Sequence, residues 1–237
     1  MLKTVDLSQV MVIDIETVPQ YASYNEVPPH LQDLWEQKTH YQRKPKQTPD
    51  DFYDRAGIMA EFGKIVCISM GVFYMYEKTQ YLRIKSISGN DERQLLTSFS
   101  NLLQKQPATL MFCAHNGKEF DLPYLCRRFL INTLEIPVQL QISGKKPWEV
   151  NHLDTMELWK FGDYKHYTSL NLIAAILNVP TPKDDIDGSM VRQVYYEEKN
   201  LPRIVTYCQK DVITTAQVLL KFKGMDIIPP ENITIVT

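Results

Sequence analysis

Apolar and polar residues alternate along this chain in two rhythms, one of period two and one near 3.6. Residues 12–17 are apolar except for Asp14 and Glu16, which predicts a buried strand with two carboxylates at its end. Residues 64–73 are a stronger buried-strand signal, and residues 79–87 alternate as the strand paired with it. Residues 109–114 and 150–154 predict two more strands, and 138–142 is a candidate for another. Helical periodicity takes over between them. Leu95, Leu96, Phe99, Leu102 and Leu103 share one face of a helix that Asn90 can cap and Pro107 stops. Residues 119–130, 169–177 and 188–197 predict three further helices. The longest, 201–222, has Pro202 in its first turn, Lys221 and Lys223 near its end and Gly224 just beyond. Strands first, then strand and helix in alternation, argue for α/β: a mixed five-stranded sheet flanked by helices. The tail after Gly224 is short and broken by proline.

Residues 20–62 fit neither rhythm. The stretch is polar, aromatic and proline-bearing, with one short helical pattern around Leu31, Leu34 and Trp35. It is too long for a hairpin loop and predicts an insertion packed on the sheet edge. Lys38, His40, Arg43, Lys44 and Lys46 give it a basic cluster. Two readings compete: a solvated face, or an arm guiding a nucleic-acid strand with Trp35 and Tyr41 as stacking surfaces. No composition break separates a second core, so residues 1–237 are expected to form one domain carrying this insertion.

The 237 residues suffice for a substantial core, and 44% hydrophobic with 23% charged residues is ordinary for a globular chain. A net charge of −2 means that nucleic acid would be held by local basic patches or through metal ions. Cys67, Cys113, Cys126 and Cys208 are scattered, which suggests neither a disulfide framework nor a zinc site and fits a reducing cytoplasm. The N-terminus lacks a signal-peptide pattern, and no apolar run is long enough to span a bilayer.

Three acidic sites carry candidate chemistry. Asp14 and Glu16 are two apart on a strand and project from the same face. Two adjacent carboxylates repel unless a cation separates them, and a divalent metal is the usual answer for oxygen ligands; a turn cap beside a solvated acid is the bland alternative. Asp121 falls after a strand and at the start of a helix, where α/β sheets place ligands; a simple helix-terminal acid would look the same. Tyr207 and Asp211 are four apart and share one face of the last helix, beside the apolar positions Ile204, Cys208, Val212, Thr215 and Leu219. Other polar residues read as structural. Asp154 and Thr155 suit a helix cap, Asp184, Asp185 and Asp187 a turn, His115 and His166 local hydrogen bonds, and Lys145, Lys146 and Trp148 a loop with a packed ring. Lys183 has a minor claim to a phosphate contact.

Taken together, Asp14-Ile-Glu16, Asn116-x-x-x-Phe120-Asp121-Leu-Pro-Tyr-Leu125 and Tyr207-x-x-x-Asp211 resemble the tyrosine-bearing branch of the DEDD exonucleases. These belong to the ribonuclease H-like superfamily. The likeness is greatest to the proofreading exonuclease domain of family B DNA polymerases, extends over about residues 10–222, and includes residues 183–191 before the third motif. The chain leaves no room for a polymerase and looks like a free-standing relative; residues 20–62 depart from the polymerase pattern. The resemblance implies a ribonuclease H-like fold and a hydrolase removing nucleotides from the 3′ end of single-stranded DNA, as in DNA repair. It further implies two divalent ions, Mg2+ or Mn2+, held by Asp14, Glu16, Asp121 and Asp211. Tyr207 would position the attacking water, and Thr17, Asn116 and Phe120 would bind the strand. An exoribonuclease trimming RNA ends, or a non-catalytic nucleic-acid-binding module of the same fold, are the alternatives. Neither a membrane nor any particular protein partner is implied.

Overall fold

The computed structural model describes residues 2–146, 149–163, 167–181 and 186–236. Its strands are β1 (Val10–Pro19), β2 (Gly63–Tyr76), β3 (Thr79–Ser88), β4 (Met111–Ala114), β5 (Leu153–Asp154) and β6 (Ile233–Val236). They form one six-stranded sheet in the order β5-β4-β1-β2-β3-β6. β1 and β3 run antiparallel to β2, whereas β4 on β1, β5 on β4 and β6 on β3 are parallel. The sheet is mixed as expected, but it has six strands rather than five. The extra one is the tail, which pairs its backbone with Leu82–Lys85 of β3. A four-residue edge strand whose partner lies some 150 positions earlier leaves no periodicity to read.

Two other strand expectations are corrected. Residues 138–142 form a 3-10 turn, Val138–Leu140, not a strand. Pro137 opens that turn, and the Gln139 side chain inside it donates to the carbonyls of Leu103, Gln106 and Pro107. The strand expected over 150–154 shrinks to Leu153–Asp154, because the Asp154 side chain turns to cap the helix that follows.

The helices are α1 (Pro29–Thr39), α2 (Glu92–Leu103), α3 (Asp121–Ile131), α4 (Thr155–Lys160), α5 (Leu170–Ile176), α6 (Val191–Tyr196) and α7 (Leu201–Lys223). The cap of α2 is Asp91, which accepts from the Gln94 amide; Asn90 instead accepts a hydrogen bond from the Tyr195 hydroxyl. Met11, Ile13 and Ile15 of β1 face α2 and α3, burying Leu96, Phe99, Leu125 and Phe129. Val10 and Val12 face the other way, against Val212, Ala216 and Leu219 of α7. Asp14 and Glu16 share parity with Val10 and Val12, so they point towards α7. No described helix is long and apolar enough to cross a membrane.

The insertion folds around its own aromatic cluster. Trp35 is fully buried against Phe52, Tyr53 and Phe62, and its indole N–H donates to the Pro49 carbonyl. Trp35 is therefore a core residue and no stacking surface, whereas Tyr41 is exposed. Nor does the insertion lie on the sheet edge. It packs at the end of the interior strand β1, where the Gln20 amide donates to the Phe62 carbonyl and Gly57 lies against Val18 and Pro19.

A buried ion pair fixes where the insertion rejoins the sheet. Glu92 accepts from Arg128 Nε (2.8 Å) and Nη2, and from the Ile65 amide and Asn132 Nδ2. Arg128 Nη1 donates to the Ala60 carbonyl at 2.8 Å. Every polar atom of this pair is used, which is what a buried charge requires. Replacing Arg128 by alanine leaves the Glu92 carboxylate uncompensated, so Arg128→Ala should lower unfolding stability by about 3–5 kcal/mol in denaturant titration. A loss below about 1 kcal/mol would mean that the pair is not structural.

Candidate active site

Three elements that start far apart in sequence meet at one end of β1. The strand delivers Asp14 and Glu16, the first partly buried and the second 7% exposed. Between Glu16 and Thr17 the register against β2 slips: Glu16 pairs with Cys67, but Thr17 pairs with Ile65. Such a bulge twists a strand locally and re-aims the side chains beside it.

Asp121 comes from the first turn of α3. It is 4% exposed, and its Oδ1 accepts the Ile15 amide at 3.2 Å, the residue between the two strand carboxylates. The preceding loop is shaped for this. Asn116 adopts a left-handed φ of 61°, and a side chain on Gly117 would meet the Ala114 Cβ at 2.3 Å, so only glycine lets the turn close against β4. Asp154 clamps the loop by accepting from the amides of Asn116 and Lys118 at 3.0 Å while also capping α4 through Met156 and Glu157.

Asp211, Tyr207 and Cys208 come from α7. The Tyr207 hydroxyl hydrogen-bonds to the Asp211 carboxylate one turn on. Cys208 lies deeper; its thiol donates to Asp14 Oδ2 at 3.1 Å and approaches the Asp14 carbonyl at 3.4 Å. The ligand atoms of Asp14, Glu16 and Cys208 all lie within 4.8 Å of one another.

The electrostatics follow from crowding like charges away from water. Burial, then the charges of Asp121 and Asp211, pushes Asp14 well above the carboxylate range. Burial, then Asp14 and Asp211, does the same to Glu16. Burial raises Asp121 to about 7, against the opposing pull of its own amide and that of Ile15. Tyr207 is driven far up, first by burial and then by Asp211, Glu16 and Asp14, so its phenol stays protonated at neutral pH. Burial first, and then Cys67, Asp14 and Glu16, also keep the Cys208 thiol protonated and hence a donor.

Buried, mutually repelling carboxylates with raised pKa values form a donor set that suits hard divalent cations such as Mg2+ or Mn2+. A thiol already donating to Asp14 is poorly placed as a ligand for such an ion.

Of the expected site residues, Asp14, Glu16, Asp121, Tyr207 and Asp211 are brought together. Thr17 and Phe120 line a cleft beside Glu16. Phe120 also packs into the core beside the Tyr124 ring. Asn116 lies in the loop before Asp121, with its Oδ1 buried and unpartnered among the described residues. His115 is a local hydrogen-bonder, to Thr155 Oγ1 and the Thr168 carbonyl, as expected. Lys183, Asp184, Asp185, His166 and Trp148 lie outside the described residues. Three residues escaped the sequence reading. Cys208 counted as an apolar helix position, Asp154 as a cap alone, and Tyr167 not at all, although burial and then the charge of Asp211 raise its phenol.

These shifts predict a sign for stability. A carboxyl whose folded pKa exceeds its unfolded value stabilises below the unfolded value and loses that contribution as pH rises through the folded one. His115 and His152, both lowered by burial, act oppositely, and their effect dies away as pH rises past their ordinary 6.5. In chelator, the melting temperature should therefore fall from about pH 6.5 to pH 8, and fall less in Asp14→Asn. A melting temperature that is flat or rises over that window would show that the carboxylates do not repel.

Comparison with known proteins gives the chain a family. A family model described as a predicted 3′-5′ exonuclease related to the exonuclease domain of PolB matches residues 58–227, a span that holds Asp121, Tyr207 and Asp211. A DNA polymerase of Pyrococcus glycovorans is 23% identical over 150 residues, covering 58% of this chain and 19% of the polymerase. The chain thus spans about a fifth of the length of that relative. With a family match over most of its length, the chain belongs to the family of predicted 3′-5′ exonucleases related to the exonuclease domain of PolB.

Proposed function

We propose that this protein is a metal-dependent 3′–5′ exonuclease that removes nucleotides from the end of single-stranded DNA. The observation that carries the reading is the meeting of Asp14, Glu16, Asp121 and Asp211 from a strand and two helices in one buried, mutually repelling cluster. DNA rather than RNA is supported by the name of the polymerase relative. Residues 1–237 are taken to act as one exonuclease unit with its insertion at about 20–62.

Asp14, Glu16, Asp121 and Asp211 would hold two divalent cations, which when bound supply activation of the attacking water and neutralisation of the leaving 3′ oxygen. The chain's own groups do the rest. The Cys208 thiol fixes the rotation of the Asp14 carboxylate, and the Ile15 amide fixes that of Asp121. Tyr207 stays protonated and so is not a base that takes the water's proton; with its one proton donated to Asp211, its oxygen would orient the water by accepting a hydrogen bond from it. Thr17, Asn116 and Phe120 would seat the terminal nucleotide, the phenyl ring by stacking.

The test is digestion of end-labelled single-stranded oligonucleotides, DNA and RNA in parallel, with magnesium or chelator. Stepwise shortening of DNA from the 3′ end, lost in chelator and in Asp14→Ala, is expected. A preference for RNA would make the protein an exoribonuclease. Binding without cleavage would make it a nucleic-acid-binding module. Two variants on α7 separate the roles. Asp211→Asn should weaken metal binding and recover part of its rate at high manganese. Tyr207→Phe should keep its metal affinity yet turn over about 10- to 1000-fold more slowly, the cost of one positioning hydrogen bond in the transition state. Rescue of Tyr207→Phe by added metal would contradict this division.

A further inference from the structure

The insertion is pinned to the rest of the chain on several sides. Tyr124 of α3 donates its hydroxyl to the Gly57 carbonyl at 2.8 Å, and Arg128 reaches Ala60. From α6, Arg192 donates to the Ala22 carbonyl, and Tyr196 donates to the carbonyl of Pro19, the last residue of β1 before the insertion, both at 2.6 Å. A side chain on Gly57 would come within 3.2 Å of Val18 and Pro19, so the segment is seated directly on β1. With Trp35 buried at its centre, this is a fixed wall.

That wall borders the cleft beside the carboxylates. Glu16, Thr17 and Phe120 form one side of a cleft of about 590 Å³, and Arg55 and Ile58 of the insertion form another. The remaining charges along it are unfavourable to a polyanion or already engaged. Glu16, Asp54 and Glu197 are acidic. Arg192 is engaged by Ala22, by Asp54 at 3.4 Å and by Glu197 at 3.7 Å. Arg55 differs. It is exposed, makes no ion pair among the described residues, and lies with its guanidinium 5.8 Å from the Phe52 ring centroid. It also lines a second depression, on the insertion itself, with Lys44, Gln42, Gln47 and Asp51, the last accepting from the Thr48 amide and hydroxyl. Arg43, in contrast, is spent on the carbonyls of Gln47 and Glu36.

We propose that the insertion forms a rigid wall of the substrate path and that Arg55 contacts a phosphate of the single strand as it leaves the carboxylate site towards Lys44. This deepens the exonuclease reading and rests on it. A guanidinium suits the task, because it remains charged and matches phosphate oxygens with paired donors.

The experiment measures anisotropy of a labelled single-stranded oligodeoxynucleotide with magnesium, in an Asp14→Ala background that keeps the strand intact, at several salt concentrations. Adding Arg55→Ala should weaken binding about 10-fold and make the slope of log affinity against log salt shallower by about 0.7, the value for one phosphate contact to a single strand. Arg55→Lys, which keeps the charge, should retain the parent slope. Lys105→Ala, a charge removed from an exposed position after α2, should change neither. In the otherwise unaltered enzyme, Arg55→Ala should raise KM about 10-fold with a much smaller effect on kcat. If Arg55→Ala matches Lys105→Ala in affinity and slope, the proposal is overturned while the exonuclease reading stands. If the unaltered protein shortens no strand, the exonuclease reading fails, and the binding slopes still decide whether Arg55 holds phosphate.

Discussion

Like charge confined in a small buried volume is the constraint on which this structure turns. Burial first, and the neighbouring carboxylates after it, Asp211 among them, raise the proton affinity of Asp14, Glu16 and Asp121. No chain assembles such a cluster without offsetting contacts, and here they are visible. The Ile15 amide holds Asp121, the Cys208 thiol holds Asp14, and the Tyr207 hydroxyl holds Asp211. Each comes from an element that a separate apolar contact has already fixed. α3 is set by Leu125 and Phe129, and α7 by Val212 and Ala216. The strain at the site is thus carried by the packing of the two sheet faces.

Much of this could be read before any coordinates. The alternation in β1 placed Asp14 and Glu16 on one face, and the i, i+4 spacing placed Tyr207 and Asp211 on another, because strand and helix periods fix side-chain direction locally. What escaped is non-local. β6 is defined by pairing with β3, the bulge after Glu16 by an extra residue on β2, and the second duty of Asp154 by amides of a loop nearly forty residues earlier. Cys208 was rightly read as buried, and nothing in its spacing tells a packing thiol from one donating to a carboxylate.

The insertion shows the same limit from another side. Its prolines and charges resemble those of a solvated excursion, yet Trp35, Phe52, Tyr53 and Phe62 give it a core of its own. Hydrogen bonds from Tyr124 and Arg128 of α3 and from Arg192 of α6 then hold that core beside the end of β1. The attachment brings an arginine to the edge of the acidic cleft. With a net charge of −2, the chain would hold a polyanion through local cations of this kind or through metal ions.

Cation binding to the carboxylate cluster is the central claim, and titration calorimetry with manganese at pH 7, repeated in two buffers of different ionisation enthalpy, tests it most directly. Carboxyls with raised pKa values must give up protons as the cation enters. The account predicts binding with net proton release, seen as an observed enthalpy that depends on the buffer, and a marked loss of both affinity and release in Asp14→Asn. Binding with no proton release and indifferent to Asp14→Asn, or no binding at millimolar manganese, would contradict it.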